Sequence, residues 1–304
     1  MHRRNLEERL NRFTYQPLAE AQDDVSSIDS MTINDWPNPV SVADMYGDWD
    51  YEAAVEVLDR SLSPRPAASI FDVVGSLGVR EGDVLLDIGG REGEHGLLMA
   101  ERFGCHVVSV DPVTENIERG REIASGSEYG QMVELRLGSI EQIPAEDGTF
   151  RLIFSRDMMG HIADLEVALV ECRRVLSADG HLVIHQVFGT PMLEPDEARR
   201  LWADSATVPE RMSVTGFEAA VAAAGLEISS VDVVASEWAE ASQEAGKSPN
   251  YLLQVARLRR DRDRLLEELG EVTYRVMYAN ALWSIYQLIG KLESRIYVLR
   301  PAEI

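Results

Sequence analysis

Residues 85–96 read LLDIGGREGEHG. An apolar run ends in Asp87, and glycines follow at 89, 90 and 93, so the chain is expected to leave a strand, turn tightly and enter a helix. Such a turn lets backbone approach a ligand closely, and the side chains around it say which ligand. Asp87, Glu92, Glu94 and nearby Glu101 are all carboxylates. A dinucleotide turn uses G-x-G-x-x-G spacing to hold a pyrophosphate on amides and a helix N-terminus. From Gly89 this chain runs G-G-R-E-G-E instead. Each nearby carboxylate would oppose a pyrophosphate by about 1 kcal/mol or more at modest effective dielectric, so a cationic ligand suits the turn better. Asp111 closes the next apolar run, 24 residues after Asp87, where a carboxylate can hold ribose hydroxyls. His161, in RDMMGHI after a fourth apolar run, carries an imidazole that can take a proton. Asp157 stands beside it to orient it or to bind a second molecule. His185 lies late in a fifth run and reads equally well as a core histidine.

These residues need a scaffold that brings strand ends together. From residue 66 the pattern alternates. AASIFDVVGSLGV reads as a helix and DVLLDIG as a strand; EHGLLMAERFG is a helix stopped by Gly104, and CHVVSVD a strand. TENIERGREIAS is a helix, and MVELRLG and FRLIFS are strands. ADLEVALVECRRVLSADG is a helix whose stop is Ala178-Asp179-Gly180, and GHLVIHQVF is the fifth strand. EPDEARRLW is helical, and SVTGFEAAVAAAGLEISSVDVV is a helix, a Gly225 stop and a sixth strand. Residues 238–294 are almost all of helical pattern, and SRIYVLRP is a seventh strand. Apolar, β-branched strands alternating with helices imply an α/β, seven-stranded, doubly wound Rossmann-like sheet.

DIGGREG resembles the D-x-G-x-G-x-G loop of class I S-adenosylmethionine-dependent methyltransferases, with Arg91 at the middle glycine. GSIEQIPAEDGTFRLIFSRDMMGHI and ECRRVLSADGHLVI are similar to the ubiquinone/menaquinone-type (methyltransferase type 11) family. The resemblance covers roughly residues 68–187. It implies S-adenosylmethionine as cofactor, a ligand cationic at its sulfur and amino group. The set it implies for that cofactor is Asp87, Gly89, Gly90, Gly93, Asp111, Pro112, Ser139, Ile140, Ser155 and Arg156. Within it Gly89 and Gly93 let backbone approach the methionine part, Asp111 binds ribose, Ser139 and Ile140 flank adenine, and Ser155 and Arg156 line the methionine end. Relatives carry an acid where Ser139 stands, so Glu141 or a backbone carbonyl substitutes in reading adenine. The catalytic pair implied is His161, as general base, and Asp157. Glu171 pairs with Arg173 or Arg174; a glutamate hereabouts serves as base in some prenyl-diphosphate C-methyltransferases.

The fold normally joins strands six and seven by a hairpin. About sixty residues separate them here, far beyond ordinary loops, so this insert is expected to cover the ligand edge. The expected division is an N-terminal arm and lid helices at 1–65, the cofactor-binding core at 66–187, and a substrate-side segment and rest of the core at 188–235. A helical lid insert follows at 236–294 and a final strand at 295–304. The lid is assembled from 36–60, 188–212 and the insert. Its aromatics and methionines (Trp202, Met212, Trp238, Tyr274, Trp283 and Tyr286 among them) suggest a roomy, largely apolar acceptor pocket, although singly each more often packs in the lid's own core. RLRRDRDRLLEEL reads as a solvated helix face.

The net charge of −23 argues against nucleic acid and against an anionic membrane surface. Two cysteines, Cys105 and Cys172, form no disulfide framework. The six histidines lack ligand spacing, so no metal is expected, although a magnesium ion bridging a diphosphate acceptor stays open. No signal or transit segment is evident at the start, and a cytoplasmic location is expected. Leu6, Leu10 and Phe13 share a helical face that reads as a frayed arm or as a contact for a homo-oligomer. The reading that results is methyl transfer to a small organic acceptor, a bacterial specialised metabolite, with O-methylation ahead of N- or C-methylation, including a terpenoid carbon. Two alternatives stand beside it: a cyclase or isomerase that binds the cofactor without simple transfer, and a non-catalytic interaction module.

Overall fold

The computed structural model of the chain describes residues 40–47, 50–60, 63–246 and 248–302. It divides after residue 61 into two compact units. In the first, α1 (Val42–Met45) is capped by Ser41, whose hydroxyl accepts the Asp44 amide at 3.1 Å. Helix α2 (Tyr51–Arg60) starts after Asp50, whose carboxylate accepts the Ala53 amide. Leu6, Leu10, Phe13, Trp36 and Trp49 lie outside the described residues.

The second unit opens with α3 (Ile70–Ser76) and then alternates: β1 (Val84–Ile88), α4 (Glu94–Phe103), β2 (His106–Asp111), α5 (Thr114–Ser125), β3 (Val133–Leu137), β4 (Phe150–Arg156), α6 (Leu165–Val175) and β5 (Leu176–Gly189). Next come α7 (Pro195–Asp204), α8 (Val214–Ala223) and β6 (Leu226–Ala235). Helices α9 (Glu237–Glu244), α10 (Tyr251–Arg260), α11 (Arg262–Leu269) and α12 (Glu271–Leu288) precede β7 (Leu292–Pro301). The strands form one sheet in the order β3-β2-β1-β4-β5-β7-β6, with β7 antiparallel to both neighbours. This is the α/β, seven-stranded doubly wound arrangement that the alternation implies.

Side chains leave the sheet alternately, so each strand feeds two cores. Leu86, Val108 and Ile153 pack under α6 and α8 with Leu169, Cys172 and Phe217. Leu85, Val107, Leu152 and Phe154 face the other way, against Ile70, Phe71, Met99 and Ile117 of α3, α4 and α5. Burying both faces is why the strands read as continuous apolar runs.

Two expectations need correction. Helix α6 ends at Val175 and not at Ala178-Asp179-Gly180. Leu176 is already extended and pairs with Phe150, and the ladder then shifts register before Leu152 meets His181. An irregular strand start, polar at Ser177 and Asp179, carries no period-two signal. Strand β7 begins at Leu292, ahead of the expected 294 or 295, because Leu292 already pairs with Gly189.

The insert is four helices. Trp202 of α7 and Trp283 of α12 meet edge to face, with ring centroids 5.8 Å apart. Val187, Met212, Ala279 and Leu292 complete this small core at the carboxyl end of β5. Tyr274 donates its hydroxyl to the Leu258 carbonyl, and Arg275 pairs with Asp204. The insert is thereby pinned to the edge of the sheet where ligands bind in such folds. Arg264 pairs with Glu268 at 2.9 Å on the exposed face of α11. Among the described residues no helix is long and apolar enough to cross a membrane.

Candidate active site

A cavity of about 970 Å3 opens where the sheet order reverses, at the carboxyl ends of β1, β2 and β4. Four stretches build it: the turn after β1, residues 110–113, residues 138–141 and residues 156–158. Asn280 of the insert reaches the same cavity, as do His161 and Ile162.

The turn after β1 is packed against its own strand. A Cβ on Gly90 would lie 2.1 Å from Ser109 Oγ and 2.3 Å from Asp87 Oδ2, so only glycine fits. Gly93, at φ 76°, takes a left-handed conformation to launch α4. The amides of Gly89 and Gly90 both donate to the Val110 carbonyl, that of Arg91 to Asp111 Oδ2 and that of Gly93 to the Gly90 carbonyl. These N–H groups point at protein acceptors and are spent. A pyrophosphate cradle requires them free. Arg91 has φ 50° and an exposed side chain, so it fills a glycine position at some backbone cost while projecting outward.

Asp87 stands behind this turn, not in its face. It is buried, and Ser109 Oγ donates to it at 3.2 Å. Burial pushes its carboxyl up to about 7, with the charge of Asp111 adding and hydrogen bonds from Ser109 and the Gly96 amide opposing. Its work is to hold the turn. Gly93 and Ser155 likewise sit behind the cavity wall; Ser155 is fully buried and its Oγ has no hydrogen-bond partner. Gly89, Gly90, Asp111, Pro112, Ser139, Ile140, Arg156, Asp157 and His161 all line the cavity. Asp111 Oδ1 accepts the Val113 amide and the Asn116 side chain, each at 3.0 Å, and Oδ2 accepts the Arg91 amide at 3.0 Å. Five carboxylates line the cavity (Glu92, Glu94, Asp111, Glu141, Asp157) against two guanidiniums, Arg91 and Arg156. A cation is favoured there and a phosphate chain is not.

At the end of β4, Asp157 takes φ 54°, another strained position on the cavity wall. Its Oδ1 lies 2.8 Å from His185 Nδ1 and its Oδ2 lies 3.4 Å from Arg156 Nε. Desolvation opposes its ionisation, but the His185 ring and the Arg156 guanidinium outweigh it and hold the carboxyl at about 2. His185 is buried and stacked on Trp238, with ring centroids 4.3 Å apart; neither ring nitrogen makes a directed hydrogen bond. The Arg156 guanidinium lies 5.2 Å over the same Trp238 ring and 3.4 Å from His95 Nε2. Burial, then the charge of Arg156, lowers His95 to about 4, so it is neutral at physiological pH.

Asp157 therefore pairs with His185 and Arg156, not with His161. The partner of His161 is the carbonyl of Ala206, 2.9 Å from Nδ1. Only a protonated Nδ1 can bond a carbonyl, so Nε2 carries the free lone pair of the neutral ring. Ala206 itself has φ 53°, a third strained residue serving this site.

Beyond His161 lies a second chamber of about 250 Å3. It shares Asp157, His161 and Asn280 with the larger cavity, and those three residues mark the junction. Gln186, Ser205 and Thr207 line its far side, with Trp283 as its aromatic wall. Of the aromatics and methionines expected around the acceptor, Trp283 faces this chamber. Trp202, Met212, Trp238 and Tyr274 are buried in packing, and polar groups face the chamber. Glu171 lines neither cavity; it accepts the Ile143 amide at 2.8 Å and pairs with Arg174 at 2.7 Å.

Residues 86–184, the turn, its strands and His161 included, match the family described as methyltransferase domain. The match covers about a third of the chain. The sarcosine/dimethylglycine N-methyltransferase of Halorhodospira halochloris is 30% identical over 112 residues, 37% of this chain and 39% of that protein. The 27-O-demethylrifamycin SV methyltransferase of Amycolatopsis mediterranei is 27% identical over 206 residues, 65% of this chain and 73% of that protein. The chain thus spans well under two thirds of the first relative and more than two thirds of the second. The solved structure of a 4+2-cyclase superposes with a TM-score of 0.62 at 16% identity, over 78% of this chain and 82% of that one, a likeness of fold.

Within the matched residues, His95 and Asn116 are candidate site residues that the sequence did not single out, as are Gln186, Ala206 and Asn280 outside them. For Asn116 a signal exists, since it sits five residues after Asp111 on the first turn of α5.

Proposed function

We propose that the chain is an S-adenosylmethionine-dependent methyltransferase that modifies an oxygen or nitrogen of a small organic acceptor. The observation that carries this reading is the pair of cavities meeting at Asp157, His161 and Asn280. The larger suits an adenosyl sulfonium: glycine backbone at Gly89 and Gly90, a carboxylate at Asp111 for ribose, apolar Ile140 for adenine, and excess negative charge. Glu141 lies beside Ser139 to read the adenine amine. Bound there, the cofactor supplies a methyl carbon on a positively charged sulfur, open to in-line displacement by a lone pair.

This chain's residues do the rest. The smaller chamber holds the acceptor beyond the junction, so its nucleophile approaches from the side away from the larger cavity. His161, its Nδ1–H fixed on the Ala206 carbonyl, presents the Nε2 lone pair at the junction and takes the proton that the attacking O–H or N–H releases. Ionised Asp157 is available to position a second donor of the acceptor. The four-helix insert, through Asn280 and Trp283, closes the chamber on one side and favours a small molecule.

The test is transfer of label from methyl-labelled S-adenosylmethionine to a panel of small phenols, alcohols and amines. Label on oxygen or nitrogen is expected. His161→Ala should slow transfer about a hundredfold while sparing affinity for S-adenosylhomocysteine. Cofactor uptake with label never leaving the donor would favour the cyclase reading, and no uptake at all the non-catalytic one.

A further inference from the structure

Gln186 is 2% exposed, near the carboxyl end of β5, and it lines the smaller chamber. Its Nε2 donates to the Val187 carbonyl at 3.1 Å. A carbonyl cannot accept from a carbonyl, so that bond fixes the amide's orientation and leaves Oε1 as the free end. Oε1 has no hydrogen-bond partner. A buried acceptor left unmet is costly, and natural cores avoid it.

The neighbouring hydroxyls cannot satisfy it. Ser205 gives its one proton to the Leu201 carbonyl at 2.7 Å. The 2.8 Å contact between Ser205 and Thr207 therefore uses the Thr207 proton. Both hydroxyl protons are spent, and Thr207 turns lone pairs outward. Asp157, on the same chamber, is a carboxylate and only accepts. The far side of the chamber, Gln186, Ser205 and Thr207, thus presents side-chain acceptors without free hydroxyl donors.

We infer that Gln186 is a specificity-determining residue: its Oε1 receives a hydrogen bond from a second O–H or N–H of the acceptor, distinct from the group that loses its proton to His161. This rests on the methyl-transfer reading and narrows its substrate class. The acceptor carries two or more hydroxyl or amino groups on the portion that enters the chamber. That portion is about the size of one substituted ring, set against Trp283. A bare prenyl chain would leave Oε1 unmet and is disfavoured.

The experiment compares two ring probes, catechol and toluene, binding to the full chain saturated with S-adenosylhomocysteine, by ligand-observed NMR at millimolar concentration. Catechol should bind at least about tenfold more tightly. Gln186→Met keeps length and burial but removes the acceptor, and should erase most of that preference. Equal binding of the two probes to the unaltered chain, no catechol binding, or an undiminished preference in Gln186→Met overturns the inference. The unaltered chain decides the matter even if a variant fails to fold. Cofactor uptake is followed separately by calorimetry on the same samples. Its absence would sink the methyl-transfer reading, while the probe comparison on the cofactor-free chain still tests Gln186.

Discussion

Asp111 is the residue on which the larger cavity turns. Its carboxylate has about four acceptor positions. Three are taken, by the Arg91 and Val113 amides and the Asn116 side chain, all at 3.0 Å. One position, on Oδ2, is left for a ribose hydroxyl. Asp111→Ala removes that charge-assisted bond, worth about 1.5–3 kcal/mol, so affinity for S-adenosylhomocysteine should fall by about 10- to 100-fold. It also leaves the Arg91 and Val113 amides to water at the cavity edge, so the melting temperature should drop modestly. Asn116→Ala separates the two effects: it keeps the carboxylate but frees a position on Oδ1, and should lower affinity less than Asp111→Ala does. Isothermal calorimetry of the three proteins at one pH and salt gives the comparison. Equal affinity of Asp111→Ala and the unaltered chain would refute the ribose assignment and the geometry behind it.

The turn behind Asp111 makes two more predictions. Asp87, free near 3.9 and about 7 when folded, is more readily protonated in the folded chain. Its contribution to stability is therefore complete below about pH 4 and lost as pH rises through about 7. His95, lowered to about 4, works oppositely: its contribution is present above about 6.5 and lost as pH falls towards 4. The quantity to measure is thus the difference between the unaltered chain and Asp87→Asn in denaturant unfolding from pH 4 to 8. That difference should shift against the unaltered chain as pH rises, and parallel curves would contradict the burial argument. Gly90→Ala forces a Cβ to within 2.1 Å of Ser109 Oγ. The turn must move, at about 1–3 kcal/mol or more, with loss of cofactor binding; a thermal melt and titration like those of the unaltered chain would show that the turn is looser than its packing implies.

Much of the cofactor side was legible because local pattern and function coincide there. The runs ending at Asp87 and Asp111 are apolar because both sheet faces are covered, and their carboxylates fall at strand ends by the same arithmetic. What a linear reading lacks is direction. Asp87 and Asp111 look alike in sequence, yet one faces the strand behind the turn and the other the cavity. The acceptor side is less legible still. Gln186 reads as one polar residue in an apolar strand, and its meaning comes from Ser205 and Thr207, which spend their protons elsewhere. The carbonyl that fixes His161 belongs to Ala206, forty-five residues away, and no side-chain type announces it. Asp157, four residues before His161, was its natural partner, but at its positive φ it lies against His185. Trp202 and Trp283 look like pocket aromatics by composition; packing the insert onto α7 consumes the first and leaves only the second at the chamber.

What the larger cavity holds decides the function. A crystal structure with S-adenosylhomocysteine should show the ribose on Asp111, the adenine against Ile140 and the sulfur facing the junction of Asp157, His161 and Asn280. A nucleoside seated elsewhere, a sulfur turned away from that junction, or a dinucleotide phosphate on the turn at Gly89 and Gly90 would contradict it.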